Sequence, residues 1–231
     1  MCFDAGLHEH AERCSRFAVG CATEADDWAI RAKALSGMAN LAVHRGRVDE
    51  ALSYAEMSLV RLDRLPPVVR AVLHTRHARA LGAMGVTRQT DCLVAVRRAE
   101  DTFAIRAGEE PDWISYYDRS RLDRDTGRAL LGPALGGGDH REAEHRLSAA
   151  VGAFPDRHSR GRALALANLA VLMMTCGDPV RAAELGTEAI RSDRVVESFR
   201  RLRAAGQRHR AVPSVRELNR ELDRATRVTA G

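Results

Sequence analysis

The stretches "GRVDEALSYA" (residues 46–55) and "GDPVRAAELG" (residues 177–186) both carry a glycine followed five positions later by an alanine. This spacing recurs five times along the chain, with a threonine in place of the alanine once. The pairs are Gly6/Ala11, Gly46/Ala51, Gly85/Thr90, Gly138/Ala143 and Gly177/Ala182. Successive glycines lie 40, 39, 53 and 39 residues apart. A recurring period of this length is typical of repeat proteins.

Each repeat has the pattern of two helices joined by a short turn. An apolar run such as "ALALANLAVLMMTC" (residues 163–176) precedes the glycine, and an amphipathic run such as "PVRAAELGTEAI" (residues 179–190) follows it. The glycine ends the first helix, because a left-handed residue after a helix costs least without a Cβ. Such a helix pair cannot bury its apolar face alone and must stack on its neighbours. The pattern therefore predicts an all-α fold.

These repeats resemble tetratricopeptide repeats, in which a glycine and an alanine five positions apart separate helix A from helix B. In the clearest copy the signature positions hold Leu166, Leu169, Ala170, Met173, Gly177, Ala182, Gly186 and Ala189. Leucine and alanine replace the large aromatic residues of the consensus. The resemblance implies a right-handed α-solenoid of about five repeats over residues 1–191, starting within a repeat. It also implies basic C-terminal capping helices over residues 192–231.

A second resemblance comes from "EEPDWISYYDRSRLDRDTGRALLG" (residues 109–132). It is similar to a segment of actinobacterial transcriptional regulators of the XRE type, which join an N-terminal helix-turn-helix domain to a C-terminal repeat domain. The sequence as given begins inside the first repeat without a helix-turn-helix pattern before it, so we expect either an internal methionine of a longer protein or a repeat domain that exists alone. DNA is expected as a partner only indirectly, through such a helix-turn-helix domain. Around this segment we expect a loop over residues 106–111 and a long helix from Asp112. Pro133 should break that helix near Gly132.

The composition, with 45% hydrophobic and 29% charged residues, is that of a soluble folded protein. The net charge is +5, and residues 191–231 hold eleven arginines against five acids. This basic tail could bind phosphates. The favoured interpretation is a pair of capping helices, split at Pro213, with a solvated basic face.

Five cysteines without C-x-x-C spacing predict neither a disulfide framework nor a zinc site, and favour a reducing cytoplasm. The longest uncharged stretch, residues 163–177, is shorter than the roughly 20 residues that a membrane span needs. We therefore expect a cytoplasmic protein without a membrane partner.

His74 and His77 lie three positions apart on a predicted helix and could share a metal ion. Packing is the favoured interpretation, because a metal site needs three or four converging ligands. The sequence has no recognisable nucleophile elbow, phosphate-binding glycine loop or Ser-His-Asp order. We expect no enzyme, no cofactor and no metal.

The concave groove of stacked repeats is the expected binding surface, because the first helices line it. The repeat register and the adjoining aromatic segment give the candidate residues Lys33, Asn40, His44, Thr75, Arg79, Tyr117, Arg121, Asp125 and Arg128. Tyrosine and arginine are enriched at binding hot spots, and Tyr117 is preferred over Tyr116. In the alternative interpretation, Trp113 and one tyrosine only pin the long loop to the core.

The leading functional hypothesis is a non-catalytic domain that binds a protein or peptide in this groove. The regulator resemblance implies the ligand-sensing and oligomerising part of a bacterial transcriptional regulator, with a homodimer as a further expectation. The alternative is a free-standing scaffold for protein–protein interaction. A third hypothesis, direct DNA binding through the basic tail, predicts affinity that falls steeply with salt.

Overall fold

The structure is a computed structural model that describes residues 7–105, 110–154, 159–193 and 195–227. These residues form eleven α-helices and no β-strand, which confirms the all-α class. The helices are α1 (His8–Glu24), α2 (Trp28–His44), α3 (Val48–Ser58), α4 (Pro67–Ala83), α5 (Gln89–Ala104), α6 (Arg119–Leu135), α7 (Arg141–Ala153), α8 (Ser159–Cys176), α9 (Pro179–Ser192), α10 (Val196–Gly206) and α11 (Pro213–Arg227). Within the described ranges, no helix is both long and apolar enough to cross a bilayer.

The chain divides into two compact units, Met1–Asp118 with α1–α5 and Arg119–Gly231 with α6–α11. In the first unit α1 packs on α2, α2 on α3, and α4 on α5, while α4 also contacts α2 and α3. In the second unit the sequential pairs are α6/α7, α8/α9 and α10/α11. There α8 contacts α6, α7 and α10, and α11 contacts α9. Each unit is thus built from sequential helix pairs that pack on the next pair.

The glycine–alanine registers coincide with the turns between paired helices. Ala51, Ala143 and Ala182 are fully buried, as expected for small residues that allow close approach of two helices. Gly46 and Gly85 have φ values of +73° and +88°, a region that only glycine enters without strain. The first register, at Gly6, lies outside the described residues.

Two registers differ from the expected turn geometry. In the fourth, Gly137 rather than Gly138 has the positive φ, +94°. In the fifth, Gly177 does not have a positive φ; its amide donates to the Met173 carbonyl, and the next helix begins at once with Asp178 as its N-cap. There the Asp178 carboxylate accepts from the Val180 amide at 2.8 Å, so a side-chain N-cap starts α9 directly after this turn.

The predicted start of this helix at Asp112 is wrong, because α6 begins only at Arg119. Residues 111–117 form successive turns instead, in which the amides of Ile114 and Tyr117 donate to the carbonyls of Pro111 and Ile114. Ile114 and Tyr117 are both buried, so the segment is held to the core by these two side chains. The expected loop over residues 106–111 lies mostly outside the described residues.

The predicted break near Gly132 is also wrong, because α6 continues through Pro133 to Leu135. Pro133 lies in the last turn, so its missing N–H removes one hydrogen bond close to where the helix ends anyway. Leu130, Leu131 and Ala134 around it are buried, and this packing outweighs the local cost.

The basic tail forms the two amphipathic helices that the sequence predicts, with Pro213 as the first residue of α11. Phe199 and Leu202 of α10 and Val215, Leu218 and Leu222 of α11 are buried. These side chains pack in the second unit, where α10 contacts α8 and α11 contacts α9.

Candidate binding face of helices α2 and α4

Five of the nine candidate residues lie on two helices that pack on each other in the first unit. Lys33, Asn40 and His44 lie along α2, and Thr75 and Arg79 lie on α4. Tyr117 follows in the turns before α6. The other three, Arg121, Asp125 and Arg128, lie on α6 in the second unit.

Arg79 and Asn40 join the two helices directly. The Arg79 guanidinium donates a hydrogen bond to the Asn40 side-chain carbonyl. This bond occupies the Asn40 oxygen and leaves its NH2 group as a donor. Arg79 itself is buried, and its hydrogen bond fixes the orientation of the Asn40 amide.

Lys33 lies against an aromatic pair. Its ammonium is 5.4 Å from the Trp113 ring centroid and 5.7 Å from that of Tyr116, and it donates to the Tyr116 hydroxyl at 3.3 Å. Both ring distances are within the range of cation–π attraction. The contact ties the 111–117 turns to α2 and places a cation and a phenol side by side.

The structure reverses the expected roles of the two tyrosines. Tyr117 is 3% exposed and meets Phe103 edge to face, with ring centroids 6.3 Å apart. Tyr116 is 49% exposed. Tyr117 therefore packs as a core residue, and we replace it with Tyr116 in the candidate site. The sequence does indicate the burial of Tyr117, because this residue lies three positions after the apolar Ile114 and therefore on the same side of the turns.

Thr75 is also a core residue. It is buried, and its hydroxyl donates to the Val72 carbonyl one turn back in α4 at 2.7 Å. Its burial leaves Lys33, Asn40 and His44 as the half-buried candidate residues of this surface, which we call the α2/α4 face, with the buried Arg79 holding Asn40. Along α2, Lys33 and His44 are about 16 Å apart, at 1.5 Å per residue.

At the far end of the α2/α4 face, His44 meets a second imidazole and a set of ion pairs. The His8 and His44 ring centroids are 4.9 Å apart at an interplanar angle of 59°. In the turn that follows, Arg45 and Arg47 each donate to Glu12 of α1 at 3.2 Å. These bonds tie α1 to the turn after α2, so we assign the two arginines a structural role.

The hydrogen bond from Arg16 is the main reason that the pKa of Glu12 lies below its usual value. This carboxylate therefore stays charged and keeps the arginine contacts in place around neutral pH.

Asp125 on α6 is the buried partner of a partly buried ion pair. It accepts from Nε and Nη2 of Arg124 at 2.9 and 2.7 Å, and Arg124 also lies 5.8 Å from the Phe154 ring centroid. These contacts, with the burial of Asp125, indicate a structural role. Arg121 and Arg128 are half-buried on the same helix.

His74 and His77 pack between helices and do not form part of a metal cluster within the described ranges. The Nδ1 atoms of both rings are buried without a hydrogen-bond partner. Burial is the largest cause that lowers the pKa of His74 to about 4, followed by the charge of Arg98. The pKa of His77 is lowered for the same first reason. Both rings are therefore neutral near pH 7.

Neither the protein-family models, nor the curated proteins, nor the solved structures give a match to this chain.

Proposed function

We propose that the chain is a non-catalytic binding domain whose α2/α4 face takes an extended, acceptor-rich peptide with a carboxylate. The observation that carries this proposal is the row of donors along α2, where the Lys33 ammonium is followed by the Asn40 amide held by Arg79. A carboxylate pairs with the ammonium, and peptide carbonyls accept from the amide.

The length of the face supports a peptide rather than a small ion. The roughly 16 Å between Lys33 and His44 correspond to about five residues of extended chain. Tyr116 supplies an exposed aromatic surface beside Lys33, a combination that is common at binding hot spots.

The proposal includes a right-handed solenoid of tetratricopeptide-like repeats as the scaffold. The sequential helix pairs in each unit and the buried alanines at positions 51, 143 and 182 support it. Following the sequence resemblance, we propose that the domain is the sensing part of a bacterial transcriptional regulator. The alternative is a free-standing protein–protein scaffold.

These two contexts predict different sizes for the natural protein. An intact mass well above 25.3 kDa, measured on protein from its own cells, would support an attached DNA-binding domain. A mass of 25.3 kDa would favour the scaffold.

The binding proposal is tested with N-acetylated hexapeptides that carry one glutamate at each position in turn and a free C-terminus. Lys33→Met and Arg79→Ala should each weaken binding of the best peptide about tenfold, since each removes a charged or oriented donor. Arg13→Met, on the exposed surface of α1, is the matched control and should bind normally.

Circular dichroism checks that each variant keeps its helices. Normal affinity of both Lys33→Met and Arg79→Ala, in variants that remain folded, would contradict the assignment of this face.

A further inference from the structure

A concave surface lies in the second unit, between α9 and α11. It is a cavity of about 570 Å³ whose lining includes Ala183 and Leu218 together with hydroxyl and charged side chains. A second cavity of about 420 Å³ adjoins it and shares Arg191 and Glu221 with it. The two form one groove, which we call the α9/α11 groove, and it is independent of the α2/α4 face.

The floor of the groove is apolar and closely packed. Leu218 is buried, and a Cβ built on Gly186 would lie only 2.8 to 2.9 Å from side-chain atoms of Leu202 and Leu218. Glycine at position 186 therefore lets α9 approach α10 and α11. Ile190 and Ala225 continue the apolar lining in the second cavity.

Four glutamates line the groove, two from each helix. Glu184 and Glu188 belong to α9, and Glu217 and Glu221 belong to α11. In each pair the residues are four positions apart, or about 6 Å along the helix axis. Two rows of carboxylates with the same spacing thus line an apolar floor, against the two cations Arg191 and Arg224.

The carboxylates differ in how they are engaged. Glu188 pairs with Arg162, and Glu217 pairs with Arg220 at 2.7 Å. Glu221 accepts from the Thr187 hydroxyl at 3.1 Å, and Glu184 has neither a hydrogen-bond nor an ion-pair partner among the described residues. Glu184 and Glu221 are therefore the two carboxylates that lack an arginine partner and can meet a cation from outside.

The shape and charge of the groove determine the kind of partner. An apolar floor accepts an apolar side-chain stripe, and flanking carboxylates accept cations on both sides of that stripe. An amphipathic helix with arginine or lysine on either side of its apolar stripe fits this arrangement, with one cation for Glu184 of α9 and another for Glu221 of α11.

We propose that the α9/α11 groove docks a short basic amphipathic helix of a partner protein. The helix lays its apolar stripe over the half-buried Ile190 and Ala225, beside the buried floor, and its cations meet Glu184 and Glu221. The groove lining from residue 183 to residue 191 covers about 12 Å of α9, enough for about two turns of the docked helix.

The probe is a 16-residue peptide with leucine at helical i, i+3 and i+4 spacing and arginines on either side. Binding to the full chain is measured by fluorescence anisotropy of the labelled peptide. The Glu184→Gln/Glu221→Gln double variant should bind about tenfold more weakly, because it removes the two negative charges that would pair with the arginines of the peptide, without changing side-chain size. Glu24→Gln, an exposed glutamate of α1, is the matched control and should bind as the unaltered chain does.

Arg191→Ala tests the sign of the effect. It removes a like charge from the groove and should tighten binding of the basic peptide severalfold. Raising the salt concentration should weaken binding to the unaltered chain. A tighter Arg191→Ala complex is a gain that damage to the fold would not produce.

Two control peptides complete the experiment. A peptide with glutamate in place of every arginine should not bind, and a version with two internal prolines, which cannot form the helix, should bind much more weakly. The proposal is overturned if the Glu184→Gln/Glu221→Gln variant binds normally. Equal binding of the acidic or the proline-containing peptide would also overturn it.

Discussion

The α2/α4 face and the α9/α11 groove are both built from paired helices, but they present side chains of opposite charge. Both lie on helices from successive pairs, yet the first presents Lys33 and the Asn40 amide, and the second presents Glu184 and Glu221. The first is a row of donors along one helix, whereas the second is an apolar trough with acidic walls. Helix pairing thus fixes where a surface lies, while a few polar positions fix what it can bind.

The largest effect on stability is expected at Leu218, which belongs both to the groove floor and to the hydrophobic core of the second unit. Leu218→Ala should lower the free energy of unfolding by about 3 kcal/mol, because it removes buried apolar volume between α9 and α11. Urea denaturation followed by circular dichroism measures the change. Leu135→Ala, at an exposed leucine of the same unit, is the control and should change stability much less.

A small effect of Leu218→Ala would mean that the groove floor adapts freely. The groove would then not be the preformed trough that sets it apart from the α2/α4 face.

An intermediate effect is expected from pH in the first unit. The pKa of His74 falls from 6.5 to about 4 on folding, so the folded chain favours the neutral ring. The stabilisation is complete above about pH 6.5 and should be lost as pH falls towards 4, by about 2 to 3 kcal/mol. Tryptophan fluorescence reports on this unit, because both tryptophans, Trp28 and Trp113, belong to it.

The matched variants for this prediction are His74→Gln and His10→Gln. His74→Gln should flatten the change in unfolding midpoint between pH 7 and pH 4, whereas His10→Gln, at an exposed position, should not. An unchanged pH slope in His74→Gln would show that burial of this imidazole does not set the acid sensitivity of the first unit.

The smallest effect is expected at Lys33. Lys33→Met should lower stability by about 0.5 to 1 kcal/mol and shift the Trp113 emission, because the cation–π contact is lost. The measurement uses a Trp28→Phe background, so that only Trp113 emits. Lys33→Arg should retain the emission of the parent, since a guanidinium also binds an aromatic face.

Identical spectra for the Met and Arg variants would mean that the cation does not hold the aromatic pair. The α2/α4 face would then lack the ordered end that distinguishes it from a simple polar surface.

The sequence was a good guide to the elements and a poorer guide to side-chain direction. The glycine–alanine period marked the turns after α2 and α4, and the apolar spacing in the tail marked α10 and α11. It failed at Pro133, where burial of neighbouring leucines outweighs a local helix-breaking preference. It also led to Tyr117 rather than Tyr116 as the exposed tyrosine. That prediction failed because exposure depends on how the 111–117 turns pack and not on residue type.

The α9/α11 groove shows the same division most clearly. Glutamate spacing of four is visible within "ELGTE" (residues 184–188) and "ELNRE" (residues 217–221), but nothing in either stretch says that the two pair across a groove. Periodicity and turn residues are local properties of the chain, so the sequence by itself determined the helices and their all-α class. Which helices pack together, and which polar groups they leave facing each other, depends on contacts between distant residues, so only the tertiary structure decided the two surfaces.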